Sequence, residues 1–357
     1  MNISEALKNK RNNFDLIRLI AAVMVIYSHS YALCGKTDPG PSFYQQTYGG
    51  LGVAIFLMIS GFLVTLSWFK SENLSVFLKA RCLRIFPALI FVIFITTFIL
   101  GPIVTSLPLP QYFSNPDTYR YLKTITLFDV RYYLPGVFTD NVYQYAVNGS
   151  LWSLVYEFIF YLIVAFFGVT GLLKRKSVTI FLFAITLTLS SLNAFPTFHI
   201  YTIYFSQFLP LFTYFTAGML FYIFKDHIPL SKSFAAISIL VLILASFFSG
   251  LNISLFIIFG TYLIFFIALS PDIKLPQISK VGDFSYGLYI YAFPVQQFVV
   301  WIYGNKISPI NNFMLSTIIA LFFSAFSWHI IEKNFLKLKN HAIMPTLMKI
   351  NPFKVND

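Results

Sequence analysis

The sequence predicts an all-α protein: a polytopic membrane helix bundle of about ten transmembrane helices, with both termini in the cytoplasm. Three observations carry that prediction. Of 357 residues, 57% are hydrophobic and 11% charged, and the mean hydropathy is +0.74, whereas soluble domains average ~25% charged residues. The apolar residues gather in runs about as long as a bilayer is thick, and the cations sort to one side of those runs. A water-exposed globule of this length has no interior for 43 Phe and 22 Tyr, so lipid is the solvent for most of the chain.

A spanning helix needs ~20 mostly apolar residues. Such runs lie at roughly 14–34, 50–69, 84–105, 150–170, 178–195, 201–224, 233–249, 251–270, 284–303 and 311–332. The turn Ser249, Gly250, Leu251 and Asn252 parts two of them. With the N-terminus inside, Lys8, Lys10 and Arg11 begin a series in which 20 of the 25 cations are cytoplasmic, and Lys36, Arg120, Lys123, Arg131 and Lys306 are outside. The net charge of +12 therefore reads as topology. A nucleic-acid footprint would need a polar domain with clustered cations, and none is present. The first run carries Arg18 and His29 and lacks a small-residue cleavage site, so it is expected to stay attached. Cys34 and Cys82 fall on opposite sides of the bilayer and are expected not to bond.

One transmembrane domain is expected over 1–340, followed by a short basic tail, 341–357. The single long connection, 106–149, holds Pro108, Pro110, Pro116 and Pro135 and many tyrosines. Loops this long are functional or disordered as a rule, and this composition predicts a packed lid on the outer face. No internal repeat is evident, which weighs against an inverted-repeat transporter.

Ionisable and polar groups inside spans are costly and point to function. In RLIAAVMVIYSH, Arg18 and His29 stand eleven residues apart. That spacing returns to within ~20° of the same helix face, about 16 Å along the axis. Asp15 lies within pairing distance of Arg18 on the same helix. The plainer alternative is an arginine that snorkels and a histidine satisfied in the core. In GGLGVAIFLMISGFL, Gly52, Phe56 and Ser60 form a small and polar stripe, for helix packing or for ligand approach. In RCLRIFP, Arg81 and Arg84 can grip phosphates with their forked donors, or simply anchor the span on its positive side. In NGSLWSLVYEFIFY, Ser153, Glu157 and Tyr161 share one face, with Trp152 at interfacial depth. By depth Glu157 is expected to partner His29, a pairing that would orient the imidazole as a general base.

Elsewhere, His329 and Glu332 read as a pair at the inner interface. His199, His227 and His341 fall in loops with no metal-site spacing, so no metal is expected. No Gly-rich phosphate loop or nucleophile elbow is present.

These motifs, in this order, resemble the membrane-bound acyltransferase-3 family, whose members O-acetylate bacterial surface carbohydrates. The resemblance covers about residues 12–338. It rests on FDLIRLIAAVMVIYSH, GGLGVAIFLMISGFL, RCLRIFP, LWSLVYEFIFY and SYGLYIYAFP. It implies a multi-pass protein of the bacterial cytoplasmic (inner) membrane, with a cytoplasmic acyl-CoA, typically acetyl-CoA, as donor substrate and no permanently bound cofactor. The acceptor is a hydroxyl of a surface polysaccharide or its lipid-linked precursor. By the same likeness Arg18 and His29 match the family's arginine and histidine of the first helix, with His29 the base or transient acyl carrier and Arg18 a catalytic and coenzyme-binding residue on the path of the coenzyme's arm. Arg81 and Arg84 hold the coenzyme phosphates, and Trp152, Ser153 and Glu157 match the signature of the fourth span. Tyr286 and Tyr289 match the ninth-span motif, and Ser60, Tyr286 and Tyr289 are expected to support the site. Many members carry a histidine where this chain has Ala292, which leaves His29 as the main imidazole. The usual proline after the final Glu-Lys is replaced by Asn334.

The rival reading is a transporter or flippase of lipid-linked sugars, without acyl-transfer chemistry; a purely structural partner subunit is the third. The partners expected are acyl-CoA, a carbohydrate acceptor and membrane lipid, with no nucleic acid. The sequence assigns no oligomeric state, and it leaves direct transfer and an acyl-histidine intermediate equally open.

Overall fold

The computed structural model describes residues 1–340 except 10, 45, 193, 195, 197 and 248–251. Lys10, the basic tail with His341, Lys349 and Lys354, and most of the turn at 249–252 lie outside the described residues. The principal helices, in chain order, are α1 (Phe14–Leu33), α2 (Tyr48–Ser71), α3 (Leu74–Val104), α4 (Leu151–Val169) and α5 (Lys176–Ser191). They continue with α6 (Phe205–Ile223), α7 (Lys232–Ala245), α8 (Ile253–Leu269), α9 (Ser285–Ile302) and α10 (Pro309–Lys337). Among the described residues the strands amount to one antiparallel pair, His199–Ile200 with Ile203–Tyr204.

Every apolar run of the sequence is occupied by one of these helices. Five of them, α1, α2, α3, α4 and α10, are long and apolar enough to cross a membrane. The reading of about ten spans is thus met by length and composition for these five. The other five fall short of one of these two criteria. Helices α5, α7 and α8 are apolar but shorter than the ~20 residues of a perpendicular span. Helices α6 and α9 are long enough but more polar, and α9 turns its Gln296 and Gln297 into the protein interior.

Local chemistry sets the helix starts. Thr47 accepts from the Gly50 amide at 3.0 Å to cap α2, and Asn73 accepts from Val76 at 3.0 Å to cap α3. Ser308 caps α10 ahead of Pro309, a residue with no amide hydrogen to lose in a first turn. Helix α2 is the axis of the bundle: 72% of its apolar window is buried, against 22% for α10. Small residues let it take that position. A Cβ on Gly61 would stand 2.0 Å from the Phe215 carbonyl oxygen, and one on Gly218 would stand 1.9 Å from that of Met58. Helices α2 and α6 therefore cross backbone to backbone. Gly52 does the same toward α1, where a Cβ would come within 2.5 Å of the Ala21 oxygen.

The connections sort onto two ends of the bundle. At one end Ile3 and Ser4 bond to Ile228 and Lys225, Asn13 bonds to Ile267, Ala268 and Ile273, and Arg11 reaches Leu275. At the other end Val142 and Asp140 bond to Asn305, Thr202 bonds to Phe128, and Gly35 packs against Val142. Cys34 and Cys82 are free thiols.

The 106–149 connection is packed. Short helices at Leu109–Ser114 and Pro116–Arg120 lead into a chain that buries Tyr112, Tyr121, Val137 and Phe138. It is pinned to α9: Asn141 donates to the carbonyl and side chain of Gln297, and Gln297 donates back to Tyr143 and Ala146. At its end, Asn148 donates to the Ile290 carbonyl at 2.9 Å. Ile290 stands four residues before Pro294, which has no amide hydrogen to give it. Asn148 supplies the donor that the proline removes.

Candidate active site

A cleft near the N-terminal end of α1 gathers side chains from five helices: Arg18 of α1, Ser60 of α2, Arg81 and Arg84 of α3, Ser153, Glu157 and Tyr161 of α4, and Tyr286 and Tyr289 of α9. Five motifs spread over about 270 residues of sequence thus converge. Ser60 and Glu157, one on the small-residue stripe and one on the fourth-span face, meet directly: the serine hydroxyl donates to Glu157 Oε1 at 2.7 Å, and Tyr161 donates to the same oxygen at 2.6 Å. Ser153 and Tyr289 share a short hydroxyl contact. Tyr286 donates to the Ile85 carbonyl at 2.8 Å, and its ring lies under the Arg84 guanidinium, 5.5 Å away. Trp152 is partly buried, edge-on to Tyr156.

The three arginines are held differently. Arg18 pairs with Asp15, as its spacing predicts, and also with Asp283 at 3.0 Å. Arg84 takes the same Asp283 oxygen at 2.6 Å and faces Glu332 at 3.6 Å. Arg81 has no carboxylate within ion-pair distance among the described residues. It lies over the rings of Phe77 and Tyr161, with Ser67 Oγ at 3.4 Å. Arg81 and Arg84 therefore share a cleft but are held differently: among the described residues Arg84 is ion-paired to carboxylates and Arg81 rests on aromatic rings and a hydroxyl.

Asp283 is the residue that sequence reasoning missed. It sits in the connection just before α9 and receives Arg84, Arg18 and the Ser285 hydroxyl. Burial would push its carboxyl up, but the two guanidiniums and the serine hold it below the usual carboxylate range. The signal was present in the sequence as a carboxylate abutting the SYGLYIYAFP motif at an end otherwise rich in cations.

Two expected pairs are not formed. Glu157 is engaged by Ser60 and Tyr161 and makes no hydrogen bond to His29. His29 stands about three turns farther along α1, edge-on to Phe293 at 5.1 Å, and its Nδ1 is buried without a hydrogen-bond partner. Depth alone does not decide a pairing when hydroxyls on neighbouring helices lie closer. The His329 and Glu332 pair also fails. Ser327–Glu332 is a π-turn, and its wider winding shifts the helical phase. Glu332 is thereby turned inward, with 2% of its side chain exposed, toward Arg84 and Ser327, while His329 lies beside Phe284. Among the described residues no group of His, Cys, Asp and Glu is arranged to hold a metal. Ala292 is buried in an apolar cluster with Ala22, Ile26 and Ala320.

The model of the acyltransferase-3 family, an acyltransferase domain, matches residues 11–331. The chain belongs to that family. As an acyltransferase-3 protein it is an enzyme of acyl transfer. It is 32% identical over 344 residues to an O-acetyl transferase of Shigella phage Sf6, covering 92% of this chain and 97% of that protein. It is 36% identical over 159 residues to nodulation protein 10 of Rhizobium leguminosarum bv. viciae, covering 43% of this chain and 42% of that one. No solved structure matches it.

Proposed function

We propose that this acyltransferase-3 protein is an O-acetyltransferase of the bacterial cytoplasmic membrane. It takes an acetyl group from cytoplasmic acetyl-CoA and passes it to a hydroxyl of a surface polysaccharide or its lipid-linked precursor. The observation that carries this reading is the convergence of Arg18, Arg81 and Arg84 on the cleft that also holds Ser60, Ser153 and Glu157. A cationic entrance leading to a hydroxyl and carboxylate wall suits a phosphorylated donor whose uncharged arm lies deeper.

In this reading the donor's phosphates bind at Arg81, which has no carboxylate within ion-pair distance among the described residues, and then at Arg84, in exchange for part of its hold on Asp283. The pantetheine arm runs past Ser60, Ser153 and Tyr289 toward His29. The neutral imidazole takes the acceptor hydroxyl's proton as that oxygen attacks the thioester carbonyl. The C–S bond then breaks, and the proton passes to the leaving thiolate. Glu157 holds the hydroxyls of Ser60 and Tyr161 in place along the arm. Direct transfer and a transient acyl-histidine both use this arrangement.

The test is reconstitution in vesicles with radiolabelled acetyl-CoA and a polysaccharide acceptor. Label should pass to the polysaccharide with the wild type and not with His29→Ala. Movement of glycan across the vesicle with no thioester consumed would replace this reading with that of a flippase.

A further inference from the structure

A second cleft lies in the 106–149 connection, far along the bundle from the arginines. It is an open groove of about 560 Å³, the size of a pocket for a small ligand. Its walls include Asp117, Arg120, Arg131, Tyr133, Gln144 and Tyr145. The same segment buries Tyr112, Tyr121 and Phe138 almost completely, yet leaves Tyr133 60% and Tyr145 67% exposed. The connection thus has apolar sites for aromatic rings and presents these two to the cleft instead.

The charges there are already balanced. Arg120 bonds to Asp117 at 2.8 Å and Arg131 to Asp129 at 2.9 Å. Such pairs offer forked donors beside carboxylate acceptors with no excess of either sign, which suits hydroxyl groups better than phosphate or carboxylate. The interleaving of charged side chains between the rings is also unlike a protein-docking patch, whose centre is depleted of charge. An aromatic ring face carries negative partial charge and attracts the weakly positive C–H face of a pyranose.

The scaffold is pre-formed. Leu127 and Phe138 hold left-handed φ values of 59° and 56°, and both are buried. The surrounding packing therefore fixes the backbone. A relay of ring contacts links the cleft wall to the proposed base: Tyr145 touches Tyr143 at 5.4 Å between ring centroids, Tyr143 touches Phe293 at 6.2 Å, and Phe293 touches His29 at 5.1 Å.

We infer that this cleft is an acceptor subsite that binds an uncharged oligosaccharide segment. Tyr133 and Tyr145 are its stacking platforms, and Asp117, Arg120 and Arg131 read its hydroxyls. The inference rests on the carbohydrate-acylation reading above and names where the acceptor is held before one hydroxyl reaches His29.

The test is binding of the purified full chain in nanodiscs, without donor, to an array of neutral bacterial oligosaccharides and their acidic counterparts. Neutral glycans should be retained. The Tyr133→Ala/Tyr145→Ala double variant should bind them about tenfold more weakly, while the Tyr133→Phe/Tyr145→Phe pair stays within about twofold of wild type. In the transfer assay the alanine variant should raise the acceptor KM and leave the donor KM unchanged. Retention of acidic glycans alone, retention of no neutral glycan, or equal binding by the alanine variant would overturn the subsite. Because the array uses no donor, a failure of acyl transfer with glycan binding intact would refute the proposed chemistry and spare the subsite. Transfer by a protein that binds no neutral glycan would do the reverse.

Discussion

Asp283 receives Arg84 on one carboxylate oxygen at 2.6 Å and so ties the third helix of the bundle to the segment that opens the ninth. Arg18 takes the same oxygen, so one half-buried anion bridges two cations that Asp15 and Glu332 also face. Asp283→Asn should remove the bridge, leaving Arg18 to Asp15 and Arg84 to Glu332, and cost about 2 kcal/mol of stability, the order of a hydrogen bond to a charged group. Thermal unfolding in detergent measures this, and an unchanged midpoint would refute it. The carboxyl's folded pKa lies below the unfolded value of about 3.9. Its contribution is therefore full above that value and lost only as pH falls through the depressed folded pKa. Between about pH 6 and pH 8 the pair should add no pH dependence to stability.

The two arginines of RCLRIFP should separate on mutation. Arg81→Ala should raise the donor KM about tenfold or more with little change in the unfolding midpoint, since no carboxylate depends on Arg81 among the described residues. Arg84→Ala should raise the donor KM and also lower the unfolding midpoint, because Asp283 and Glu332 lose their shared cation. Equal effects of the two variants on stability would contradict the division.

His29→Ala and His29→Gln should lower kcat by about 10² to 10⁴, the usual share of a general base, while coenzyme A binding stays near wild type. Isothermal titration of both variants with coenzyme A, alongside transfer kinetics, separates the two effects. Residual kcat within tenfold of wild type would remove His29 from the chemistry.

Glu157→Gln keeps an oxygen that accepts from Ser60 and Tyr161, so the unfolding midpoint should hardly move. Glu157→Leu removes the acceptor, strands two buried hydroxyls and should cost about 2 kcal/mol. A glutamine variant as unstable as the leucine one would show that the carboxylate charge itself is structural.

Asn148→Leu should cost about 1 kcal/mol by leaving the Ile290 carbonyl, already without an amide partner because of Pro294, unsatisfied. Combining it with Pro294→Ala, which returns the amide, should recover most of that loss. Strictly additive destabilisation would refute the link.

Much of this was legible in the sequence because helical periodicity and hydropathy are local. Arg18 with Asp15, the stripe through Gly52 and Ser60, and the face shared by Glu157 and Tyr161 all follow from residues three, four or eight apart. What was hidden depends on contacts between helices or on departures from α geometry. Glu157 meets Ser60 rather than His29 because neighbouring helices, and not depth alone, decide partners. Glu332 turns inward through a π-turn that a 3.6-residue period does not anticipate. Asp283 lies outside any span, where a carboxylate looks ordinary until two distant arginines are seen to share it.

The antiparallel bridge between Thr105 and Val137 brings the two ends of the 106–136 part of the long connection side by side, with Ser106 bonded to Gly136 at 2.9 Å. A segment whose ends already touch is a cassette. Its replacement by a relative's segment of different length should leave the helices beneath undisturbed, since the added entropy of loop closure grows only with the logarithm of length. Acceptor preference and acyl-transfer chemistry can then diverge independently in this protein, one by exchange of a surface module and the other by change within the bundle.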